Sequence, residues 1–207
     1  MSQGLLIILS GPSGVGKGTV CSLLASKNRN LYFSISMTTR PPRPNEQNGV
    51  SYFFVSEEEF KKLIENDSFL EWAKVYGHYY GTPRSYVSSH IMKGKDVLLE
   101  IDTQGANKIK TYFPDEIFIF LLPPSLQELK RRIMERGTEL PAKIEERYTA
   151  SFLEIKEVKN YDYIAINDSP ERAAEQIAAI IEAEKCRVKR NRELLERLRR
   201  GDHIKCL

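Results

Sequence analysis

Four short runs of apolar residues are spread along the chain and predict buried strands. Near-continuous apolar runs are typical of strands covered on both faces, as in a parallel sheet. The runs are Leu5–Ser10, Val97–Ile101, Ile117–Leu122 and Tyr163–Ile166. Amphipathic segments between them predict helices at Thr19–Ser26, Thr103–Phe113 and Ser125–Glu135. The alternation of strands and helices predicts an α/β fold with a parallel core sheet between layers of helices.

Two segments depart from this alternation and predict inserts. The first runs from about Leu31 to Tyr80 and contains the proline-rich turn Pro41-Pro42-Arg43-Pro44. Its patterns predict strands and one helix, which together suggest a small unit of mixed topology. These are strands at Tyr52–Val55 and Phe69–Tyr76, with a helix at Ser56–Glu65 between them. A second irregular insert is predicted near Gly137–Pro141, between two arginine-bearing helices.

Composition narrows the class of protein. The chain has 207 residues, of which 41% are hydrophobic and 29% charged, with a formal net charge of +3. This length suits one domain, and so balanced a charge argues against a dedicated nucleic-acid binder. No apolar run approaches the roughly 20 residues that a membrane helix needs, and the basic start of a signal peptide is missing. We therefore expect a cytoplasmic protein without membrane or nucleic-acid partners.

The cysteines and the C-terminal tail suggest no further site. Cys21, Cys186 and Cys206 are odd in number, and their spacing fits neither a disulfide framework nor a zinc site, so we interpret them as free thiols. Residues 185–207 form a charged tail. Pairs four residues apart, Glu193 with Arg197 and Glu196 with Arg200, favour a solvated helix. A nucleic-acid patch is the alternative, but glutamates interrupt its basic run.

A phosphate-binding loop follows the first predicted strand. The segment Gly11-Pro12-Ser13-Gly14-Val15-Gly16-Lys17 has the glycine, four-residue, glycine-lysine spacing and precedes a helix. Glycines let backbone N–H groups converge on an anion, and the helix N-terminus adds partial positive charge. The alternative is a glycine-rich turn with an incidental lysine. We predict that ATP contacts Gly11, Pro12, Ser13, Gly14, Val15, Gly16, Lys17, Gly18 and Thr19.

One position departs from the usual loop. The residue after Lys17 should be Ser or Thr, whose hydroxyl binds magnesium, but here it is Gly18, followed by Thr19. Mg²⁺ dehydrates reluctantly and keeps several waters. We therefore expect the Mg²⁺ that accompanies ATP to be held mainly by phosphate oxygens and water, without a certain protein ligand.

A second anion site is predicted in the first insert. Arg40 and Arg43 lie three residues apart among prolines, and Tyr52 follows them. Two stiffened arginines clamp a phosphate in bidentate fashion, and a tyrosine hydroxyl adds a hydrogen bond. The alternative is a solvated basic turn.

The segment Thr38–Glu46, together with the Gly49, Tyr52 and Phe54 that follow it, resembles the signature of guanylate kinases. That signature has Thr-Thr-Arg, a second basic residue, an acid, a glycine, and then a tyrosine before an aromatic residue. The resemblance covers roughly Gly4 to Glu184 and implies a three-layer α/β/α P-loop fold, a GMP-binding insert at about 35–83 and a mobile lid at about 136–147. The motifs that carry it are Thr38–Glu46, Phe69–Ala73, Gly77–Thr82, Glu100–Gly105, Pro123–Ser125, Arg136–Glu139 and Ile166–Asp168.

The resemblance implies which residues hold the acceptor. Arg40, Arg43, Tyr52 and Tyr80 would hold the GMP phosphate, and Glu71 would accept from the guanine ring N–H and exocyclic amine. The base and ribose would meet Ser36, Gly81, Thr82, Glu100 and Asp102. Glu71 also has an independent chemical argument, because adenine presents a ring acceptor where guanine presents a donor.

Purely structural roles remain open as alternatives for three of these residues. Glu71 could be an exposed strand residue, Thr82 could cap a helix that starts after Pro83, and Glu100 could be an acid at a strand end.

The resemblance also implies a transfer machinery. Arg132, Arg136 and Arg147 would close over the phosphates and act with Lys17 and Arg43 as catalytic residues. Arg131, on the same predicted helix but offset by about 100° from Arg132, is expected to be solvated.

A further motif concerns the adenine of ATP. Asn167 and Asp168 resemble the family's adenine-contacting turn. The alternative is that they cap a helix before Pro170.

The function implied is transfer of the γ-phosphoryl group of ATP to GMP, with ADP and GDP as products, in purine nucleotide metabolism. ATP and GMP are the expected partners, and dGMP is a further expected acceptor. The alternatives are a guanylate-kinase-like scaffold module without catalysis, a kinase for another acceptor such as a phosphorylated sugar, and a nucleic-acid-binding ATPase. The sequence leaves the oligomeric state open.

Overall fold

Five parallel strands form the central sheet of the computed structural model, which describes residues 3–28, 30–75, 77–135 and 141–202. In spatial order the strands are β2, β7, β1, β8 and β9, so the first strand lies in the middle. Ile8 pairs with Leu99 on one side and with Phe118 on the other. The strands are β1 (Leu6–Ser10), β2 (Leu31–Phe33), β7 (Asp96–Glu100), β8 (Ile117–Leu122) and β9 (Tyr163–Ile166).

Helices cover both faces of this sheet. Alternate side chains of β1 enter two separate cores, Ile7 and Leu9 on one face and Leu6 and Ile8 on the other. This double burial explains why the strands are apolar without alternation. The helices of the described residues, including α2 of the insert and α8 of the tail, are α1 (Lys17–Lys27), α2 (Glu57–Glu65), α3 (Arg84–Met92), α4 (Thr103–Tyr112), α5 (Leu126–Glu135), α6 (Pro141–Ile155), α7 (Pro170–Lys185) and α8 (Arg192–Arg199), with 3₁₀ turns at Lys156–Asn160 and Val188–Arg190.

The three-layer α/β/α prediction is confirmed. Strands β8 and β9 have the predicted bounds, β1 begins one residue later than predicted, and β7 is shifted by one residue at both ends. The predicted helices correspond to α1, α4 and α5, with ends shifted by no more than two residues. None of the helices within the described ranges is long and apolar enough to cross a membrane.

A second sheet forms the small insert. Its order is β4-β3-β6-β5, with β3 parallel to β4 and antiparallel to β6, so the predicted mixed topology is confirmed. The strands are β3 (Met37–Thr38), β4 (Phe53–Phe54), β5 (Phe69–Val75) and β6 (His78–Pro83). Assigning the insert from Leu31 onward is wrong for its first residues, because β2 pairs with β7 in the central sheet. A three-residue strand is too short to reveal its partner by pattern.

Strand β6 was not predicted from the sequence, because it contains a glycine and ends in a proline, two residues that are uncommon in strands. Gly81 lies where a side chain has no room, since a Cβ atom there would be 2.8 Å from the Phe69 ring and 2.9 Å from the Phe60 ring. Phe60, which is fully buried, stacks on Phe69 at 4.5 Å and on Tyr79 at 5.4 Å. This aromatic stack fastens α2 to the small sheet.

The second predicted insert lies mostly outside the described residues, which omit 136–140. Its flanking helices, α5 and α6, are described. Cys21 and Cys186 are free thiols, as predicted. Cys206 lies outside the described residues.

A buried carboxylate ties the tail to the domain. The side chain of Glu184 is 1% exposed and accepts hydrogen bonds from the Tyr163 hydroxyl, from Arg187 at 3.0 Å and from Arg190 at 3.1 Å. The first residues after α7 are therefore anchored.

Beyond this anchor α8 is solvated, as predicted, but with different partners. Glu196 pairs with Arg199 at 2.7 Å, while Arg197 and Arg200 face Asp202 at 3.8 and 4.0 Å.

This cluster leads to a stability prediction. Replacing Arg190 with alanine removes one charged partner from the buried Glu184 carboxylate, and we expect a loss of about 2 kcal/mol of unfolding free energy at pH 7. Urea denaturation followed by circular dichroism measures it. Arg192→Ala, an exposed change two residues away, is the control and should have almost no effect. Equal effects of the two changes would contradict the assigned anchor.

Candidate active site

The phosphate-binding loop joins β1 to α1 at the carboxyl edge of the central sheet. Gly14 and Gly16 have φ values of 85° and 99°, in the left-handed region that glycine adopts without strain. Helix α1 has Gly16 as its N-cap, without a capping side chain and without an acidic residue in its first turn. Its first N–H groups are therefore available to an anion.

The lysine of the loop is held by the loop itself. The Lys17 ammonium donates to the carbonyl oxygen of Gly11 at 2.6 Å and approaches that of Pro12 at 3.5 Å. The side chain thus folds back across the loop that it follows.

One cavity joins the loop to the small sheet. Its volume is about 290 Å³, and it is lined from the central sheet, the small sheet and α6. The predicted site residues that it brings together are Ser13, Lys17, Ser36, Tyr52, Glu71, Tyr80, Gly81, Glu100 and Asp102. A larger cavity of about 860 Å³ lies beside the tail, where Asp115, Glu116, Lys189 and Arg190 contribute mixed charges. It includes no residue of the phosphate loop, so the smaller cavity is the candidate site.

Glu71 is a buried carboxyl on β5. It is only 7% exposed, and its Oε1 accepts a hydrogen bond of 2.7 Å from the Thr82 hydroxyl on β6. Burial raises the pKa of Glu71 to about 7; the nearby Asp102 charge adds to the rise, whereas Thr82 and Lys108 oppose it. The alternative reading of Glu71 as an exposed strand residue is wrong. The reading of Thr82 as a helix cap is also wrong, because the N-cap of α3 is Pro83.

Asp102 lies at the start of α4, facing the same cavity. It is the N-cap residue of that helix, and its Oδ1 accepts from the Gly105 N–H at 2.7 Å. Glu100, the last residue of β7, is exposed. Its carboxylate lies 3.8–3.9 Å from the position that a Cβ atom on Gly18 would occupy. A strand-end acid thus lies close to the place that the usual loop hydroxyl would occupy.

The basic turn of the insert is organised by Glu46. Its carboxylate accepts from both terminal nitrogens of Arg40, at 2.9 and 3.0 Å, and from the Arg43 backbone N–H at 2.7 Å. Hydrogen bonding from Arg40 lowers the pKa of Glu46. The Arg40 guanidinium also lies 5.5 Å from the centre of the Tyr52 ring. The turn is therefore pre-arranged, which a merely solvated basic turn would not need.

The remaining clamp residues lie beside it. Tyr52 and Tyr80 meet edge to face, with ring centres 6.0 Å apart. Arg43 is exposed on the proline-rich turn.

The predicted lid arginines take different positions. Arg132 donates to Glu128 at 2.7 Å, to the Val15 carbonyl at 3.2 Å and to the Asn167 carbonyl at 3.1 Å. It therefore packs against the back of the phosphate loop. Arg147 on α6 donates to the Ser13 hydroxyl at 3.2 Å. Arg136 lies outside the described residues.

Arg131 is exposed, as predicted. It pairs with Glu128 at 2.7 Å and with Glu135 on the solvent side of α5.

The turn after β9 supports the same loop. Asn167 is 2% exposed, and its side-chain amide donates to the Val15 carbonyl at 2.7 Å. Asp168 is exposed and pairs with Arg172 at 2.6 Å. The alternative that these two residues cap α7 is wrong, because the N-cap is Ser169, which accepts from the Arg172 N–H.

The loop offers Mg²⁺ few protein ligands. In the described ranges no group of three or more His, Cys, Asp or Glu side chains could hold a metal ion. Thr19 is exposed, and among the acids that line the cavity beside the loop are Glu100, Asp102 and Glu154, the last of which accepts from the Ser13 N–H. This donor set fits an ion that keeps its waters and phosphate ligands and meets one or two carboxylates.

Sequence reasoning missed two residues that touch the loop. Ser151 and Glu154 both hydrogen-bond to Ser13. With Arg147 they occupy positions i, i+4 and i+7 of one helix face, a spacing that could have revealed them. Gly105, beside Glu71, was also missed as a site residue.

Comparison with known proteins agrees with this geometry. Residues 3–184 match the guanylate kinase family model. The guanylate kinase of Caldanaerobacter subterraneus subsp. tengcongensis is 56% identical over 95% of this chain and 96% of its own, and that of Clostridium tetani is 54% identical over 92% and 91%. The crystal structure of guanylate kinase from Anaplasma phagocytophilum superimposes with a TM-score of 0.79 at 37% identity, covering 94% of this chain and 95% of that one. On its phosphate loop, its mixed insert sheet and these matches, the chain belongs to the guanylate kinase family of nucleoside monophosphate kinases.

Proposed function

We propose that the protein transfers the γ-phosphoryl group of ATP to GMP, and also to dGMP, in cytoplasmic purine nucleotide metabolism. The observation that carries this proposal is that Lys17 and Glu71 line the same cavity. Lys17 would bind a phosphate of the donor and Glu71 would bind the purine of the acceptor, and both side chains line this cavity. Two nucleotides placed there end to end would bring their phosphates together.

The donor would bind on the phosphate loop. Its α- and β-phosphates would receive N–H groups from the loop and the open start of α1, and Lys17 would neutralise the β- and γ-phosphates. Asn167 and Asp168 would border the adenine. The Asn167 side-chain amide already donates to the Val15 carbonyl of the loop, which supports a place for Asn167 beside the nucleotide.

The acceptor base would be chosen by Glu71. An ionised carboxylate accepts from two adjacent guanine donors, whereas adenine would leave a buried charge facing a lone pair. Sites that depend on such pairing discriminate by about 10⁴-fold. Thr82 orients the carboxylate through its hydrogen bond to Oε1. Ser36 and Gly81 line the same space, and Asp102 borders it from α4.

The acceptor phosphate would bind at the basic turn. Arg43, Tyr52 and Tyr80 would contact it, and Arg40 is already oriented by its two hydrogen bonds to Glu46. Pre-arranging a charged side chain lowers the entropy that binding would otherwise lose.

Phosphoryl transfer needs alignment and charge neutralisation more than covalent help from the protein. Lys17 would stabilise charge on the moving group, and Arg132, Arg136 and Arg147 would contribute positive charge around it. Mg²⁺, when bound with ATP, bridges phosphate oxygens and neutralises developing charge. Glu100 and Asp102 are the protein groups that would face its water shell.

An acceptor panel tests the substrate. We expect GMP and dGMP to be phosphorylated far faster than AMP, CMP or UMP in a coupled ADP-release assay. Glu71→Gln, which keeps the shape but places an amide N–H₂ opposite the guanine donors, should lower kcat/KM for GMP by about 100-fold or more. An equal wild-type rate with AMP would refute the acceptor assignment.

The raised pKa of Glu71 leads to a pH prediction. Guanine needs the ionised carboxylate, so protonation removes the competent enzyme as the pH falls below about 7. With a pKa near that value, kcat/KM for GMP should fall by about tenfold between pH 8 and pH 6. The GMP phosphate itself titrates near pH 6. The Glu71→Gln profile therefore serves as the control, and a wild-type profile parallel to it would contradict the prediction.

The backbone at Gly105 makes room for this carboxylate. A Cβ atom there would lie 2.6 Å from Oε2 of Glu71 and 3.1 Å from its Cδ. The carboxyl group therefore packs directly on the first turn of α4, with Thr82 on its other oxygen. No side chain larger than hydrogen fits without moving Glu71.

Gly105→Ala should consequently damage recognition while sparing the fold. We expect kcat/KM for GMP to fall by about 100-fold, since small misplacements of a recognition group are costly. Thermal unfolding should stay near wild type, because alanine favours a helix over glycine. Gln104→Ala, an exposed neighbour in the same turn, is the control. Unchanged GMP kinetics in Gly105→Ala would show that Glu71 has freedom to move.

A further inference from the structure

Every polar group of Ser13, in the phosphate loop, is held by α6. Its backbone N–H donates to Glu154 Oε2 at 2.8 Å, and its carbonyl accepts from the Ser151 hydroxyl at 3.2 Å. Its own hydroxyl accepts from Arg147 at 3.2 Å. Three side chains of one helix thus fix one residue of the loop.

The three side chains form one row on α6. Their spacing places them about one helical turn apart on the same face. Ser151 is fully buried, and its one hydroxyl hydrogen is shared between the Ser13 carbonyl and the Arg147 carbonyl, 2.8 Å away within the row. The row therefore contacts the loop as a unit.

Glu154 is the charged contact of this row with the loop backbone. Burial raises the pKa of its carboxyl, while the Ser13 N–H and the nearby Lys17 charge act against that rise. Glu154 also lines the cavity that Lys17 and Asp102 border. A carboxylate beside the phosphate path adds negative charge near ATP, whereas its hydrogen bond to the Ser13 N–H holds the loop backbone in place.

We propose that Glu154 is a positioning residue for ATP, which holds Ser13 so that the following N–H groups of the loop converge on the phosphates. The same contact links the loop to α6 and hence to Arg147, so that the phosphate cradle and this arginine keep a fixed separation. The inference rests on the proposed binding of ATP at the loop. It gives Glu154 a role in positioning the loop and none in the chemical step.

Two substitutions of Glu154 separate its hydrogen bond from its charge. In Glu154→Gln the amide oxygen still accepts from the Ser13 N–H, whereas Glu154→Ala leaves that N–H without its partner. We expect Glu154→Ala to raise KM for ATP by about tenfold, the equivalent of one lost charged hydrogen bond. Its kcat should fall as well, while KM for GMP stays within about twofold of wild type. Glu154→Gln should recover most of both losses.

Controls make the outcomes decisive. Thr149→Ala, an exposed change on the same helix and outside the predicted lid, should behave as wild type. Thermal unfolding of each variant, and calorimetric binding of ATP without GMP, separate loop positioning from general stability. Tighter ATP binding in both Glu154 variants would overturn the proposal, because the carboxylate would then act as a repulsive charge. Equal losses in Gln and Ala, or equal rises in KM for ATP and GMP, would overturn it too. Failure of the GMP acceptor panel in wild type would instead refute the proposed function.

Discussion

The structure depends on gathering backbone N–H groups of a short loop around one point, where they repel each other until an anion arrives. Left-handed glycines such as Gly14 allow the loop to curl, but they do not hold it there. Neighbours on several elements do so. Asn167 and Arg132 hold the Val15 carbonyl, and α6 holds Ser13. Hydrogen bonds from neighbouring elements therefore support the curled form of the loop in the absence of a ligand.

The proposed GMP side of the same cavity depends on a negative group, the carboxyl of Glu71. Glu71 loses solvation in its buried position, which raises its pKa, and gains only one hydroxyl partner in return. Its remaining hydrogen-bonding capacity is what a guanine ring would satisfy. An unsatisfied buried carboxylate is costly, so in the proposed function the binding of guanine would also relieve that cost. Gly105 and Thr82 keep the group in place for it.

Pattern alone predicted the features that are local. Double burial makes the central strands apolar throughout, and this predicted β8 at Ile117–Leu122 with its observed bounds. The spacing from Gly11 to Lys17 predicted the loop, because its geometry requires glycine at set positions. The resemblance to guanylate kinases supplied the family, and with it Glu71, whose burial no strand pattern indicated.

Long-range contacts were decided only by the tertiary structure. The partner of Leu31–Phe33 is a strand some 65 residues later, and a run of three residues has too little pattern to choose it. Glu154 reaches Ser13 across 141 residues of chain, and Gly105 matters only because Glu71 packs on it. Composition and periodicity record which residues are buried and in which element. They do not record which buried groups meet, because that depends on the packing of separate elements against one another.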